Sequence, residues 1–550
     1  MGKLGPRLSS RKKAKRWPKG QSSSSNPQTK KHREQASWIF FKDSTASAKP
    51  GITKEDLKKH NAIQGIEPQV ETLDSEGNSW ETCTENTADT FATNYSNCSN
   101  ISFSRFLNHF QSKSLLHKEM LAVLSAVTEI IKQHGGNESS TEYFAALMST
   151  LEAIESDTSI AATLSLLGMG LKTVPKNVLN IQFGAASRIF LNILVKYASS
   201  EEYLILRHCI HCLSVLLRAQ EAATWSSSST MQVLDVILSF TIHYKPKLRK
   251  SAQHGICAIL NGSDIMKSEN PSQYHPATPY IAKFCIGQLD SKSDGITNVL
   301  HVLTLLKDIF HHLPKIHVKT ISESLLKLMT MKNVLVTSCC LQTFHGLFVS
   351  RPSEAILPVQ RNGQIITALY DYQPPATDTQ PTLAWLTVMQ EAYLNLAHNS
   401  LNLCAVLLPR ILDRCMQLWL SDKSEVISGS SHTIKILLQD CVGKICETEE
   451  SMKTYKDTIN QITFMIHQAL GYQYLEAWYH ILHLIALLFQ VTGKARSPQL
   501  IEILKTLAEL RDSYNFASKN DAEYAIGAAI RVLGPETILN LIPLKASNSI

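Results

Sequence analysis

The sequence predicts an all-α protein, an α-solenoid of stacked antiparallel helix pairs behind a disordered basic N-terminal tail. Three observations predict it. Apolar residues recur at helical spacing from about Ser114 to the C-terminus, short turns rich in Pro, Gly, Ser, Asn and Asp separate the helical stretches, and alternating Val/Ile runs with hairpin turns are missing. With 44% apolar residues, a chain of 550 residues can bury a long continuous core.

Charge divides the chain before any helix is placed. Residues 1–33 hold eleven Lys and Arg and no acid. Residues 60–104 hold seven acids and no Lys or Arg. Residues 34–59 carry +1, so +2 of the total +7 remains for 105–550. The expected organisation is a disordered basic tail (1–59), an acidic linker (60–104), a first array of repeats (105–380) and its continuation (381–550). A short helix near Lys54–Ile63 and an apolar cluster at Trp38–Phe41 that docks on the body are expected within the head.

The body opens with His117–Gln133, where Met120, Leu121, Leu124, Val127, Ile130 and Ile131 share a face and Gly135–Gly136 ends the helix. Thr141–Glu155 completes the first hairpin. Four later segments, each read as the second helix of its hairpin, open alike: Leu204–Arg218, Pro246–Leu260, Val334–Phe348 and Glu425–Gln439. Their starts lie 42, 88 and 91 residues apart, with Leu383–His398 as an intermediate helix. A period in the low forties belongs to HEAT or armadillo repeats. Pro246 suits a first helical turn, and Ala252 and Gly255 are small enough to let neighbouring helices approach. No helix reads as apolar all round, so each needs neighbours.

Catalytic templates are absent. Gly168-Met169-Gly170 lacks the third glycine of a dinucleotide loop, and no phosphate-cradling, H-E-x-x-H or G-x-S-x-G motif occurs. No enzymatic activity, cofactor or metal is expected. Cys209-Ile210-His211-Cys212 has zinc-like spacing but no second pair, so it reads as core, as does Cys339–Cys340. His311–His312 read as favourable partners of a helix C-terminal dipole. The longest apolar runs, Ile160–Leu171 and Ile481–Val491, fall short of a membrane span.

The candidate binding residues are basic. Arg11, Lys12, Lys13, Lys15, Arg16, Trp17 and Lys19, with Lys30, Lys31 and Arg33, suit nuclear import, and the same charges would neutralise RNA phosphates while Trp17 stacks on a base. A solvated tail is the plainer alternative. Lys245, Lys247, Arg249 and Lys250 form a smaller cluster at a repeat edge, for which ordinary solvation of a helix terminus is the competing reading.

The head Lys15-Arg16-Trp17-Pro18-Lys19-Gly20, followed by Ser22–Ser25, Asn26 and Pro27, resembles the N-terminus of the ribosomal RNA processing protein 12-like family. The body is similar too, in His117–Ala126, Thr141–Leu147, Lys245–Ile256, Leu303–Ile309, Gln364–Tyr372 and Leu383–Met389. The resemblance implies a nucleolar and nuclear HEAT-repeat scaffold, acting in pre-ribosomal RNA processing and in maturation and nuclear export of ribosomal subunit precursors. It implies association with pre-ribosomal RNA and particles, nucleoporins and the Ran GTPase. Members of the family are typically about twice this length, so the chain is expected to correspond to an N-terminal half, truncated within the array. A karyopherin-like transport factor and a cytosolic regulatory scaffold stay open as alternatives.

Overall fold

A computed structural model describes residues 98–542, apart from 201–202, 268–271, 291–294, 332, 494–497 and 514–515. The expected short helix near Lys54, the Trp38–Phe41 cluster and the whole basic tail therefore lie outside the described residues. Within them every regular element is helical and none is a strand.

The main helices follow one another as antiparallel neighbours: α1 (Leu115–Gln133), α2 (Ser140–Ala153), α3 (Asp157–Gly170), α4 (Lys176–Tyr197), α5 (Tyr203–Arg218) and α6 (Ser228–Phe240), with α2 packed on α3 and α4 on α5. Next come α7 (Pro246–Gly262), α8 (Thr278–Asp290), α9 (Gly295–Ile309), α10 (Lys315–Met329), α11 (Val334–Val349) and α12 (Val359–Leu369), with α6 packed on α7, α8 on α9 and α10 on α11. The series continues with α13 (Thr379–Asn399), α14 (Leu401–Gln417), α15 (Ser424–Leu437), α16 (Lys456–Gln468), α17 (Trp478–Thr492), α18 (Pro498–Asp512) and α19 (Lys519–Leu533). Odd-numbered helices pack on odd, even on even, and each row is joined to the other through the hairpins. Two layers result, one unit per hairpin, as the solenoid reading requires.

Local chemistry explains the boundaries. Ser139 accepts from the Glu142 N–H while the Glu142 carboxylate accepts from the Ser139 N–H, a reciprocal cap that starts α2. Asn333 caps α11 through two backbone N–H groups, and Pro246 occupies the first turn of α7, where its missing N–H leaves nothing unpaired. Gly135, at φ +74°, takes the left-handed turn that lets the chain leave α1.

Hydrogen bonds between units recur at a separation of one repeat. Thr343 donates to the Leu303 carbonyl 40 residues away, Tyr372 to Leu326 46 away and Asn399 to Pro352 47 away. The low-forties period is thus written into the side-chain bonding. The odd row packs tightly because small residues line it. An added Cβ at Gly255 would sit 2.2 Å from the Ser214 Oγ of α5, and one at Gly346 would sit 2.2 Å from the Lys307 carbonyl oxygen of α9. One joint is different. α7 and α9 approach over a short stretch only. There Gln253 donates to both the Thr241 and His301 carbonyls, at 3.2 and 3.1 Å.

Three expectations need correcting. Two helices are buried on nearly every side: Ile160–Gly168 of α3 is continuously buried, and α13 buries Trp385, Met389, Tyr393 and Leu396. In α3 the alanines and Gly168 keep the cylinder thin enough for covering on all faces. Each large side chain so enclosed contributes about 1.5–3 kcal/mol. Trp385 also donates its indole N–H to the Leu369 carbonyl at 2.8 Å. Next, Lys176–Tyr197 and Tyr472–Thr492 are long and apolar enough to cross a membrane by length and composition, because few charges interrupt them. Both are members of the stack: Phe183 and Phe190 of α4, and Trp478 and Phe489 of α17, are buried in it. Finally, His312 does not serve a helix dipole as a cation. Burial, and then the adjoining His311, lower its pKa to about 4, so the ring is neutral at pH 7.

The described fold starts inside the segment read as linker. Asn100 caps a short turn and donates to the Glu138 carbonyl at 2.8 Å, and fully buried Phe103 meets the Tyr143 ring edge-on at 5.0 Å.

Candidate nucleic-acid interface

Of the basic residues singled out in the sequence, Arg11, Lys12, Lys13, Lys15, Arg16, Trp17, Lys19, Lys30, Lys31 and Arg33 lie outside the described residues. Lys245, Lys247, Arg249 and Lys250 are all in place, at the corner where α6 turns into α7. The turn is short, Thr241–Lys245, and Pro246 then fixes the start of α7. No acid occupies the first turn of α7. Cations there oppose the helix dipole, so this end gives up some local stability and concentrates positive charge.

The four cations divide by task. Arg249, half-buried, donates to the carbonyls of His243 and Tyr244 at 2.9 and 3.3 Å, and holds the turn closed. Lys245 reaches back one repeat to the Ser200 carbonyl at 3.2 Å. Lys247 donates to the Tyr203 hydroxyl at 2.8 Å and lies 4.5 Å from that ring's centre, a cation–π contact. Lys250 is exposed. Three of the four therefore also fasten one repeat to the next or close the corner, a task that neither solvation nor phosphate binding had suggested.

Aromatic rings interleave with these charges. Phe240, His243 and Tyr244 form a ladder, with centroids 5.5 and 4.5 Å apart and planes within 30°. Burial lowers the His243 pKa first, and the neighbouring Lys245 and Arg249 lower it further. Its Nδ1 accepts the Lys245 backbone N–H at 3.1 Å, which the neutral ring can do. Tyr244 caps the ladder and is 74% exposed. An exposed ring on a stacked support beside lysines is chemically able to stack on an unpaired base with cations nearby. The signal missed in the sequence was His243-Tyr244-Lys245-Pro246-Lys247, in which rings and cations alternate.

The other polar candidates are structural. Cys209 and Cys212 are fully buried in α5; burial raises both thiols, and Cys212 points its Sγ at the Leu164 carbonyl, 3.7 Å away. Cys340 is buried, and its thiol is pushed up to about 12. No group of three or more His, Cys, Asp or Glu among the described residues is arranged to hold a metal ion.

Residues 85–355 match the family model "RRP12-like, N-terminal HEAT repeats", and residues 420–549 match "Ribosomal RNA-processing protein 12, HEAT repeats". An RRP12-like protein of Gallus gallus is 40% identical over 550 residues, covering 97% of this chain and 42% of the relative. Ribosomal RNA-processing protein 12 of Saccharomyces cerevisiae is 23% identical over 485 residues, covering 80% of this chain and 39% of the relative. The chain thus spans about two fifths of the length of these curated relatives. Among solved structures, the karyopherin Kap121p bound to Pho4p is similar at a TM-score of 0.46 and 14% identity, over 80% of this chain and 43% of that one. Two models of one family, matched in order along most of the chain, and a relative at 40% identity establish that the chain belongs to the RRP12-like family of HEAT-repeat proteins.

Proposed function

We propose that the chain is a non-enzymatic scaffold of ribosome biogenesis that holds pre-ribosomal RNA on its basic arm and binds protein partners along the helical stack. The kinship with a ribosomal RNA-processing protein supports the process. Charge segregation carries the mechanism: eleven Lys and Arg within 33 residues, against a nearly neutral body. An arm of that density binds phosphates by releasing counterions, which is tolerant of sequence and sensitive to salt. The α6–α7 corner adds a fixed stacking surface to the charge of the arm. Nuclear and nucleolar residence, service in pre-rRNA processing, and maturation and export of subunit precursors belong to this reading. So do pre-ribosomal particles, nucleoporins and the Ran GTPase as partners, on kinship alone.

The test is a titration of a single-stranded pre-rRNA fragment at several salt concentrations. Changing Arg11, Lys12, Lys13, Lys15 and Arg16 together to Gln should flatten the slope of log K against log salt by about 3.5, at ~0.7 for each phosphate no longer neutralised. Affinity near 0.15 M salt should drop on the order of 100-fold. The pair Tyr244→Ala and Lys247→Ala should flatten the slope by only about 0.7 and weaken binding ~10-fold or more, the worth of one stacked base and one charge. If both variants bind like the parent, this part of the protein meets the pre-ribosome through protein contacts, and the RNA mechanism is wrong.

A further inference from the structure

A cleft of ≈ 550 Å³ runs between the first turns of α10 and α12, in the even row, on residues the sequence did not single out. Its apolar side is made by Ile316, Ile356 and Pro358, and Ile316 is 75% exposed. Its rim carries Lys315 and Lys319, one helical turn apart on α10, and Arg361 on α12. Glu323 is the one acid lining it, and its ion pair spans 3.4 Å from this exposed carboxylate to the partly exposed Arg361. Such a pair contributes little and is readily exchanged. Three cations thus face one carboxylate across a cleft whose apolar side presents Ile316 to solvent.

We propose that this cleft binds an acidic peptide carrying a branched aliphatic anchor, a partner site distinct from the RNA surface. Charge complementarity selects the class. Carboxylates meet Lys315 and Lys319, and Arg361 offers the planar fork that takes a carboxylate through two N–H donors. A leucine-type side chain on the peptide covers Ile316 and leans on Ile356 and Pro358. RNA fits less well: no aromatic ring lines the cleft, and an exposed isoleucine offers a base nothing to stack on. The Pro314 and Pro358 caps leave the first-turn N–H groups of α10 and α12 without a side-chain acceptor, which adds to the positive field at this end.

The experiment uses the full chain and a fluorescein-labelled decapeptide of Glu, Asp and two Leu. Because the basic arm also attracts acids, the readout is lysine acetylation mapped residue by residue, with anisotropy for affinity. The peptide should protect Lys315 and Lys319 about 5-fold while Lys247 and Lys250 react as before. Lys315→Glu with Lys319→Glu should weaken it ~10–30-fold, each charge pair counting for roughly a factor of several. Ile316→Ser should cost about 5-fold with the charge unchanged. All three side chains are exposed, so these variants leave the core intact. Protection confined to lysines of residues 1–33 overturns the proposal. So does equal binding of an all-acid peptide without Leu, or protection of Lys315 and Lys319 by a 12-nucleotide oligouridine in place of the peptide.

Discussion

One methyl group placed at Gly346 lowers the stability of the array by about 2 kcal/mol, while the same methyl at Gly184 raises it. Both glycines sit inside helices, so Ala should gain roughly 0.5–1 kcal/mol at either from helix propensity. At Gly184 of α4 nothing lies within 4 Å of the new atom, and that gain stands alone. At Gly346 the atom would sit 2.2 Å from the Lys307 carbonyl oxygen, which belongs to a backbone and cannot rotate away. α9 and α11 must part along the odd row, at a cost of about 3 kcal/mol for overpacking. Urea unfolding followed by circular dichroism reads the sign directly. Hydrogen exchange should locate the damage in α9 and α11. A Gly346→Ala chain that unfolds at the parent's urea midpoint would show that the two helices do not meet at their backbones.

The second large effect concerns Arg351, at the end of α11. Its guanidinium pairs with the Glu391 carboxylate of α13 at 2.8 Å and donates to the Glu391 carbonyl at 3.1 Å. Glu391 is only 7% exposed. Removing the arginine leaves a buried carboxylate without its cation, which costs about 3–5 kcal/mol in a closed interior. The arginine itself is a third exposed, so water screens part of that, and Arg351→Ala should cost ~2–3 kcal/mol. Arg351 also holds φ at +50°, a backbone state that glycine tolerates better than alanine. Arg351→Gly should therefore be the milder change. A double-mutant cycle with Glu391→Gln checks the origin: the coupling should account for most of the loss. If the single losses simply add, the pair carries none of it.

Helices with an apolar face and a clear start were legible in the residues. Pro246, Leu248, Ala252 and Ile256 announced α7, and the structure starts it at Pro246. The segments expected at Leu204, Val334 and Glu425 begin at Tyr203, Val334 and Ser424. All of them, and the intermediate Leu383–His398, lie in the odd row; that is why their spacing showed the period. The covering of α3 was not legible, since an amphipathic pattern cannot tell a face toward one neighbour from a surface covered by several. Nor was the π-turn at Leu438–Val442 that carries α15 onward, which composition does not mark. At the α6–α7 corner the charges could be read but their bonds could not. The partners of Lys245 and Lys247 lie 45 and 44 residues away, and only the stacking of repeats brings them together. The cleft between α10 and α12 was hidden for the same reason, since Lys319 and Arg361 stand one repeat apart.

The joint between α7 and α9 sets the mechanical compliance of the array. Elsewhere along the odd row, parting two neighbours breaks close apolar packing over the length of a helix, and the resistance rises steeply with small displacements. Here the load falls on the Gln253 bond to the His301 carbonyl and on the His301 bond with the Ile242 carbonyl. Hydrogen bonds of this kind lengthen and re-form with water at modest cost. Under tension the stack should yield first at this point, as two stiff lengths joined by a soft one. Under the scaffold role proposed above, a bound particle that changes shape would draw its slack from there.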